Sequence, residues 1–339
     1  HITYIPREAM SAKFAANRLK PQKVRTDFET QFSVGSYLAY QGDRFVERFD
    51  ANSYLTLTMA IDLFDLGPTP EALSAALGGS RCRWLVISFT SDWLFPPFQS
   101  REIVDTLVRS GRPVTYANVE SDCGHDAFLL PDDLDRYGDM IRLFLANLHN
   151  RQPKTIDWCA RSRNGCCDAT GHSPTSIFSH QHRLDYASIV ELIPEGASVL
   201  DLGCAGGGLL AELRSRGHAR IMGIELDEAA IVTCVCRGLD VVQADLNQGL
   251  SAFGDEQFDF VVLSQTLQTT TDVPRILSEM LRVGRRGIVS FPNLGYRKYR
   301  EQLAAEGRAP RIDPGEGHQW YDTPNVRFLS IADFQAFCR

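Results

Sequence analysis

The chain has 339 residues, of which 44% are hydrophobic and 23% charged, with a formal net charge of −7. That length accommodates two domains with separate cores, and the charge divides as −4 over residues 1–150, +2 over 151–180 and −5 over 181–339. Neither half is basic, which argues against nucleic acid or an anionic membrane as principal partner. No apolar run reaches the ~18 residues that span a bilayer.

Residues 1–80 read mostly as helices and loops. Asp50 is placed to cap a helix running to about Leu66, with Leu55, Met59, Leu63 and Phe64 on one face and Gly67-Pro68 ending it. From Arg83 the pattern turns to strand, helix, strand, helix. The apolar, β-branched runs 84–89 and 113–119 are strands, and 97–110 is an amphipathic helix stopped by Gly111. A helix from about Asp132 to Leu148 has Leu134, Tyr137, Ile141, Phe144, Leu145 and Leu148 as its expected buried stripe. Residues 150–180 are polar, with Gly and Pro and no period, and read as a linker. Cys159, Cys166, Cys167, His172, His180 and His182 fall in or beside it without the spacing of a zinc site, so no metal is expected. Alternation then resumes, with strands over 198–202, 221–224, 240–243, 258–263 and 287–291 and helices near 207–216, 227–236 and 273–282. Such spacing predicts a parallel sheet covered by helices. Nine scattered cysteines, together with the absence of a signal-peptide pattern, suit a reduced cytoplasmic protein. The chain opens at His1 and closes in a helical stretch at Arg339, so both ends read as cuts.

Two segments in the first half carry chemistry. Asp92 follows the first strand and His125 the second, which is the closing half of a serine–acid–histidine order on an α/β sheet. An acid there fixes the imidazole tautomer and stabilises the imidazolium that forms as the histidine accepts a proton. No Gly-x-Ser-x-Gly occurs in the chain. From the residues alone, Ser91-Asp92 serves equally well as a helix cap before Pro96-Pro97, and Gly124-His125-Asp126 as a turn. The surrounding phrases Tyr37–Phe45, Phe49–Tyr54, Ser91–Pro97 and Gly124–Leu129 resemble the C-terminal part of homoserine O-acetyltransferases, enzymes of the α/β-hydrolase fold. The resemblance implies Asp92 and His125 as triad members and Asp126 as a contact for the amino group of homoserine. Acetyl-CoA is the implied co-substrate, a homodimer the implied assembly, and the nucleophilic serine the implied upstream partner, so this chain by itself is expected to form no acyl-enzyme.

In the second half, Val199–Leu209 joins a strand to a helix through Gly203, Gly206, Gly207 and Gly208. Glu225, 22 positions beyond Gly203, ends the next strand, where a carboxylate suits both ribose hydroxyls. A tight strand–helix turn is the plainer reading of the glycines; loop, spacing and acid together favour a nucleoside. Val199–Cys204, Phe258–Gln268, Met280–Arg286, Ser290–Asn293 and Gln319–Asn325 resemble the MetW family, which has the class I S-adenosylmethionine-dependent methyltransferase fold. That likeness implies S-adenosylmethionine as cofactor, with Asp201 and Gly203 near its methionine part, Glu225 on the ribose and Asp245 near the adenine amine. Ala205 stands where the family usually has its second glycine. His318, Tyr296 and Tyr299 are the available acceptor-side bases, each better explained by packing or solvent.

The combined expectation is an α/β protein: an acyltransferase part over 1–149, a linker over 150–180 and a Rossmann-like MetW part over 181–339. It is a piece of a fused methionine-biosynthesis protein acting on homoserine and an acyl-CoA. The choice between acetyl and succinyl donors stays open. Two alternatives stand for the second half: a methyltransferase of unknown substrate, and a module that senses S-adenosylmethionine without chemistry.

Overall fold

The structure is a computed structural model that describes residues 10–11, 14, 33–148, 184–309, 321, 323 and 325–339. The chain divides into two compact units, one of residues 1–82, 86–112 and 118–138 and the other of residues 83–85, 113–117 and 139–339.

Among the described residues the first long helices are α1 (Ser33–Arg48), α2 (Ala51–Leu63) and α3 (Pro70–Gly78), all in the first unit; the elements that follow to residue 148 are divided between the two units. Asp50 caps α2 as expected, its carboxylate accepting from Ser53 N at 2.9 Å. The helix ends short of Leu66 because Phe64 is already extended. Its expected apolar face differs more: Leu55, Met59, Leu63 and Phe64 are 59–81% exposed. Strand β1 (Trp84–Phe89), helix α4 (Pro97–Arg109) and strand β2 (Val114–Val119) follow where the sequence places them. Helix α4 buries Val104, Thr106, Leu107 and Val108, and Gly111, at φ +64, ends it. A 3-10 turn, Gly124–Leu129, leads into α5 (Pro131–Leu148). Phe89, Val119, Ala127 and Tyr137 form a small core beneath that turn, with the Phe89 and Tyr137 rings edge to face at 5.4 Å.

Helix α5 corrects the expected stripe. Tyr137, Met140, Leu143 and Phe144 are buried, whereas Leu134, Ile141, Leu145 and Leu148 are 36–49% exposed. The helix carries two apolar stripes about one residue apart, and periodicity alone does not say which one meets the core.

The second unit contains strands β3 (Val199–Leu202), β4 (Ile221–Glu225), β5 (Val241–Gln243), β6 (Phe258–Ser264) and β7 (Gly284–Ser290). Between and around them lie α6 (Leu184–Leu192), α7 (Gly208–Ser215), α8 (Glu228–Cys236), α9 (Val273–Val283), α10 (Arg297–Glu306) and α11 (Ile331–Phe337). The strands stand in the order β5-β4-β3-β6-β7, every neighbouring pair parallel. All four residues of β3 are buried, as suits a central strand covered on both faces. Strand β7 starts at Gly284, three residues before the expected 287, directly after α9. A Cβ at Gly284 would lie 2.5 Å from Val261 Cγ2, so glycine is what lets β7 begin that close to β6.

This order of parallel strands is a doubly wound, Rossmann-like arrangement. The chain reverses its direction of winding between β3 and β6, and in open α/β sheets ligands lie outside the carboxyl ends of the strands at that point. The loop after β3 therefore stands at the ligand crevice.

Candidate functional site

The first site lies within the first unit. Asp92 follows β1 and is 7% exposed. One carboxylate oxygen, Oδ1, accepts from Leu94 N at 3.0 Å and Phe95 N at 2.9 Å. The other, Oδ2, accepts from His125 Nδ1 at 3.0 Å. Fixing the proton on Nδ1 leaves Nε2 as the base nitrogen. His125 is held by its own turn: Gly124, at φ +68, donates its N–H to Ser91 Oγ at 2.9 Å. Thr90 Oγ1 donates to Ser121 O at 3.2 Å and accepts from Ser121 N at 3.0 Å, which ties the two strand-end loops together. The imidazole lies between Phe95 and Phe128, with ring centroids at 5.1 and 5.5 Å. Asp126 is half-buried in the same 3-10 turn, beside the base.

The second site follows β3. Gly203 and Gly207 have φ of +73 and +75. A Cβ on either would overlap protein: Thr266 Oγ1 at 2.6 Å from the first, Leu239 Cδ1 at 2.4 Å from the second. These two glycines are thus required by packing, whatever binds beside them. Asp201 is 2% exposed beneath the loop. Glu225 ends β4 with both oxygens engaged: Oε1 accepts from Leu226 N at 2.7 Å and Asp227 N at 3.0 Å, and Oε2 accepts from Ala205 N at 2.7 Å. The structure therefore joins the loop to the acid that the sequence paired with it. Ala205 itself sits at φ +47, in the left-handed region. Asp245 caps the 3-10 turn Leu246–Gln248, accepting from Asn247 N at 2.9 Å.

Two groupings here had no sequence signal. Cys204 and Cys234 are buried with their sulfurs 3.9 Å apart, and Cys234 Sγ donates to Ala205 O at 3.2 Å. The hydrogen bond with Cys234, reinforced by burial, holds the Cys204 thiol well above its usual value. The other grouping is Asp185, Ser264 and Ser290, brought together across 79 and 105 residues. Tyr296 packs edge to face on Tyr299 at 5.6 Å, whereas His318 and the linker cysteines and histidines lie outside the described residues. Among the described residues no three His, Cys, Asp or Glu side chains are grouped to hold a metal, and no helix is long and apolar enough to cross a membrane.

Residues 183–339 match the family model described as methionine biosynthesis protein MetW. Over 344 residues the chain is 46% identical to a bifunctional methionine biosynthesis protein MetXA/MetW of Rhodopirellula baltica, covering 98% of this chain and 51% of that protein. The likeness is to a two-part methionine-biosynthesis protein. A homoserine O-acetyltransferase of Desulfotalea psychrophila is 46% identical over 156 residues, 44% of this chain and 38% of that protein. A homoserine O-succinyltransferase of Litchfieldella anticariensis is 44% identical over 149 residues, 44% of this chain and 37% of that protein. The chain spans about half the length of the first relative and less of the other two. Both resemblances read from the sequence are upheld, the homoserine acyltransferase for one part and MetW for the other.

Proposed function

We propose that the protein to which this chain belongs acylates the hydroxyl of L-homoserine in methionine biosynthesis, taking the acyl group from an acyl-CoA. The observation that carries this reading is the His125 Nδ1–Asp92 Oδ2 hydrogen bond of 3.0 Å, with the second Asp92 oxygen anchored on backbone amides. In this reading residues 1–149 are the C-terminal part of an α/β-hydrolase domain, 150–180 the linker and 181–339 the MetW-type domain. A serine outside this chain takes the acyl group, and His125 Nε2 then removes the proton of the homoserine hydroxyl as it attacks the acyl-enzyme. Asp126, beside the base, receives the amino group of homoserine. A homodimer formed through the acyltransferase part and working in the cytoplasm completes the proposal. The chain's relatives include both acetyl- and succinyltransferases; acetyl-CoA is the proposed donor. The test is release of CoA by the full reading frame with homoserine and either acetyl-CoA or succinyl-CoA. His125→Ala is expected to slow turnover about 10²–10⁴-fold; undiminished turnover in that variant would remove the reading.

For the second unit the proposed ligand is S-adenosylmethionine. Support comes from Glu225 ending the strand beside the loop that follows β3, at the point where such sheets bind ligands. Glu225 takes the ribose, Asp245 the adenine amine, and Asp201 and Gly203 flank the methionine part. When bound, the cofactor supplies an activated methyl group. Calorimetry with S-adenosylmethionine, joined to a scan for methyl transfer, separates the two alternatives: binding without turnover makes the domain a sensor.

A further inference from the structure

A polar cluster that the proposed function does not use stands at the carboxyl ends of β6 and β7. Asp185, in the first turn of α6, accepts with Oδ2 from Ser264 Oγ at 2.6 Å and from Ser290 Oγ at 2.9 Å. The two serines end their strands and are register partners. Gln265 donates to Ser290 Oγ from its backbone N at 3.2 Å and from Nε2 at 3.3 Å. Ser290 Oγ also lies 3.3 Å from Ser264 Oγ, but a hydroxyl has one proton to give, and the shorter contact to a charged acceptor directs that of Ser290 to the carboxylate. Gln265 is held at φ +52, a conformation that non-glycine residues keep mainly where surroundings over-determine it, as at ligand sites.

The cluster's place in the fold says what it faces. Gly203 packs on the turn after β6, with a would-be Cβ 2.6 Å from Thr266 Oγ1, and Thr266 Oγ1 donates to Ser264 O at 3.0 Å. On the other side of the loop, the ring of Tyr186, next to Asp185, comes within 3.1 Å of a would-be Cβ at Gly208. The first turn of α6 thus runs from the glycine loop to the ends of β6 and β7. Strands β4 and β6 flank β3 on opposite sides. A ligand with its ribose at Glu225 on β4, extending across Gly203, therefore brings its far end to Ser264 and Asp185. For S-adenosylmethionine that far end carries an ammonium group, and an oriented carboxylate is its chemical complement.

We infer that Asp185, oriented by Ser264 and Ser290, binds the ammonium group of the methionine part of S-adenosylmethionine. This rests on the nucleoside reading of Glu225 and extends it to the other end of the ligand. Both serine hydroxyls share one oxygen of Asp185, so Asp185→Asn retains an oxygen that accepts from both while it removes the charge.

Calorimetry on the whole chain tests it with S-adenosylmethionine and with 5′-methylthioadenosine, which has the nucleoside but no amino acid. Loss of one charge-assisted hydrogen bond is expected to weaken S-adenosylmethionine about tenfold to hundredfold in Asp185→Asn, with 5′-methylthioadenosine changed less than about twofold. Unchanged affinity for both ligands overturns the inference, and so does equal weakening of both, since that is the mark of a purely structural tie between α6 and the sheet. Wild-type protein that binds neither ligand overturns the nucleoside reading and this inference with it. Should Asp185→Asn fail to fold, Ser264→Ala removes one orienting donor instead. A selective loss for S-adenosylmethionine, of about threefold, is then expected, and equal affinities again count against the role.

Discussion

Ala205 offers a perturbation whose sign and size follow from local geometry. At φ +47 an L-residue carries a left-handed penalty of about 1–2 kcal/mol. Glycine removes it but brings about 0.5–1 kcal/mol of extra freedom to the unfolded chain. Ala205→Gly is therefore expected to stabilise the second unit by roughly 0.5–1 kcal/mol, or about 1–4 °C in Tm for a domain of this size. The strain persists because the peptide units on either side of Ala205 are engaged: its N–H donates to Glu225 Oε2 at 2.7 Å and its carbonyl accepts from Cys234 Sγ at 3.2 Å. This makes the gain conditional. Glu225→Gln leaves one acceptor oxygen where three backbone N–H groups now share two, at a cost of about 1–3 kcal/mol. With the latch weakened, Ala205 can relax toward a right-handed conformation, so the gain from Ala205→Gly should shrink in that background. Scanning calorimetry on the four proteins of the double-mutant cycle, with hydrogen exchange over residues 199–209, measures both effects. A lower Tm for Ala205→Gly, or a gain as large without Glu225 as with it, would refute the assignment of strain and latch.

Two further outcomes test other parts of the structure. Glu279 Oε1 and Oε2 each accept from Arg282 at 2.8 Å, and Arg282 also donates to the carbonyls of Phe253 and Leu250. The Arg282 hydrogen bonds hold the Glu279 carboxyl below its usual 4.5. A carboxyl depressed on folding stabilises above its unfolded value and loses that contribution as pH falls through the lower folded value. Glu279→Gln should therefore cost about 1–2 kcal/mol at neutral pH and nothing below the acid transition, as read from urea midpoints between pH 3 and 7; a cost constant with pH rules out the ionic tie. The second outcome concerns thiols. Native protein treated with iodoacetamide and mapped by mass spectrometry should be modified at the exposed Cys82, Cys236 and Cys338, with Cys204 and Cys234 protected until urea unfolds the sheet. Modification of Cys204 at a rate near that of Cys236 contradicts the buried pairing.

What the sequence disclosed follows from how local each signal is. Strands β3 to β6 and the capped helix α2 were legible because burial on two faces and an N-cap both act over a few residues. The Asp92–His125 pair was legible because each residue follows a strand and chain order fixes which strand. Patterns that need a partner were not. Leu55 and Met59 give α2 an apolar face, yet composition says nothing of what covers it, and the described structure leaves it exposed. The stripe on α5 was misplaced for the same reason. Asp185 carries no signature at all: one acid at a helix start and two serines at strand ends acquire meaning only when the parallel register of β6 and β7 sets the serines side by side.

The sequence left Asp92 as either a helix cap or a partner for His125; the helix Pro97–Arg109 has Pro96 at its N-cap and no side-chain cap, and Asp92 instead closes the turn before it while it meets His125. Oδ1 satisfies the amides of Leu94 and Phe95 while Oδ2 meets His125. Glu225 divides its oxygens in the same way, Oε1 on the following amides and Oε2 on the glycine loop. A carboxylate pinned through one oxygen cannot rotate, so its second oxygen is pre-positioned without further loss of side-chain freedom when a partner arrives. The division has a consequence for mutagenesis. An amide at position 92 or 225 must present its NH₂ to the amides that follow it or to the partner of the second oxygen, His125 or Ala205 N, so Asp92→Asn and Glu225→Gln disturb structure and charge together. At Asp185 the hydroxyls of Ser264 and Ser290 converge on a single oxygen, so the charge can be removed there while those two hydrogen bonds stay.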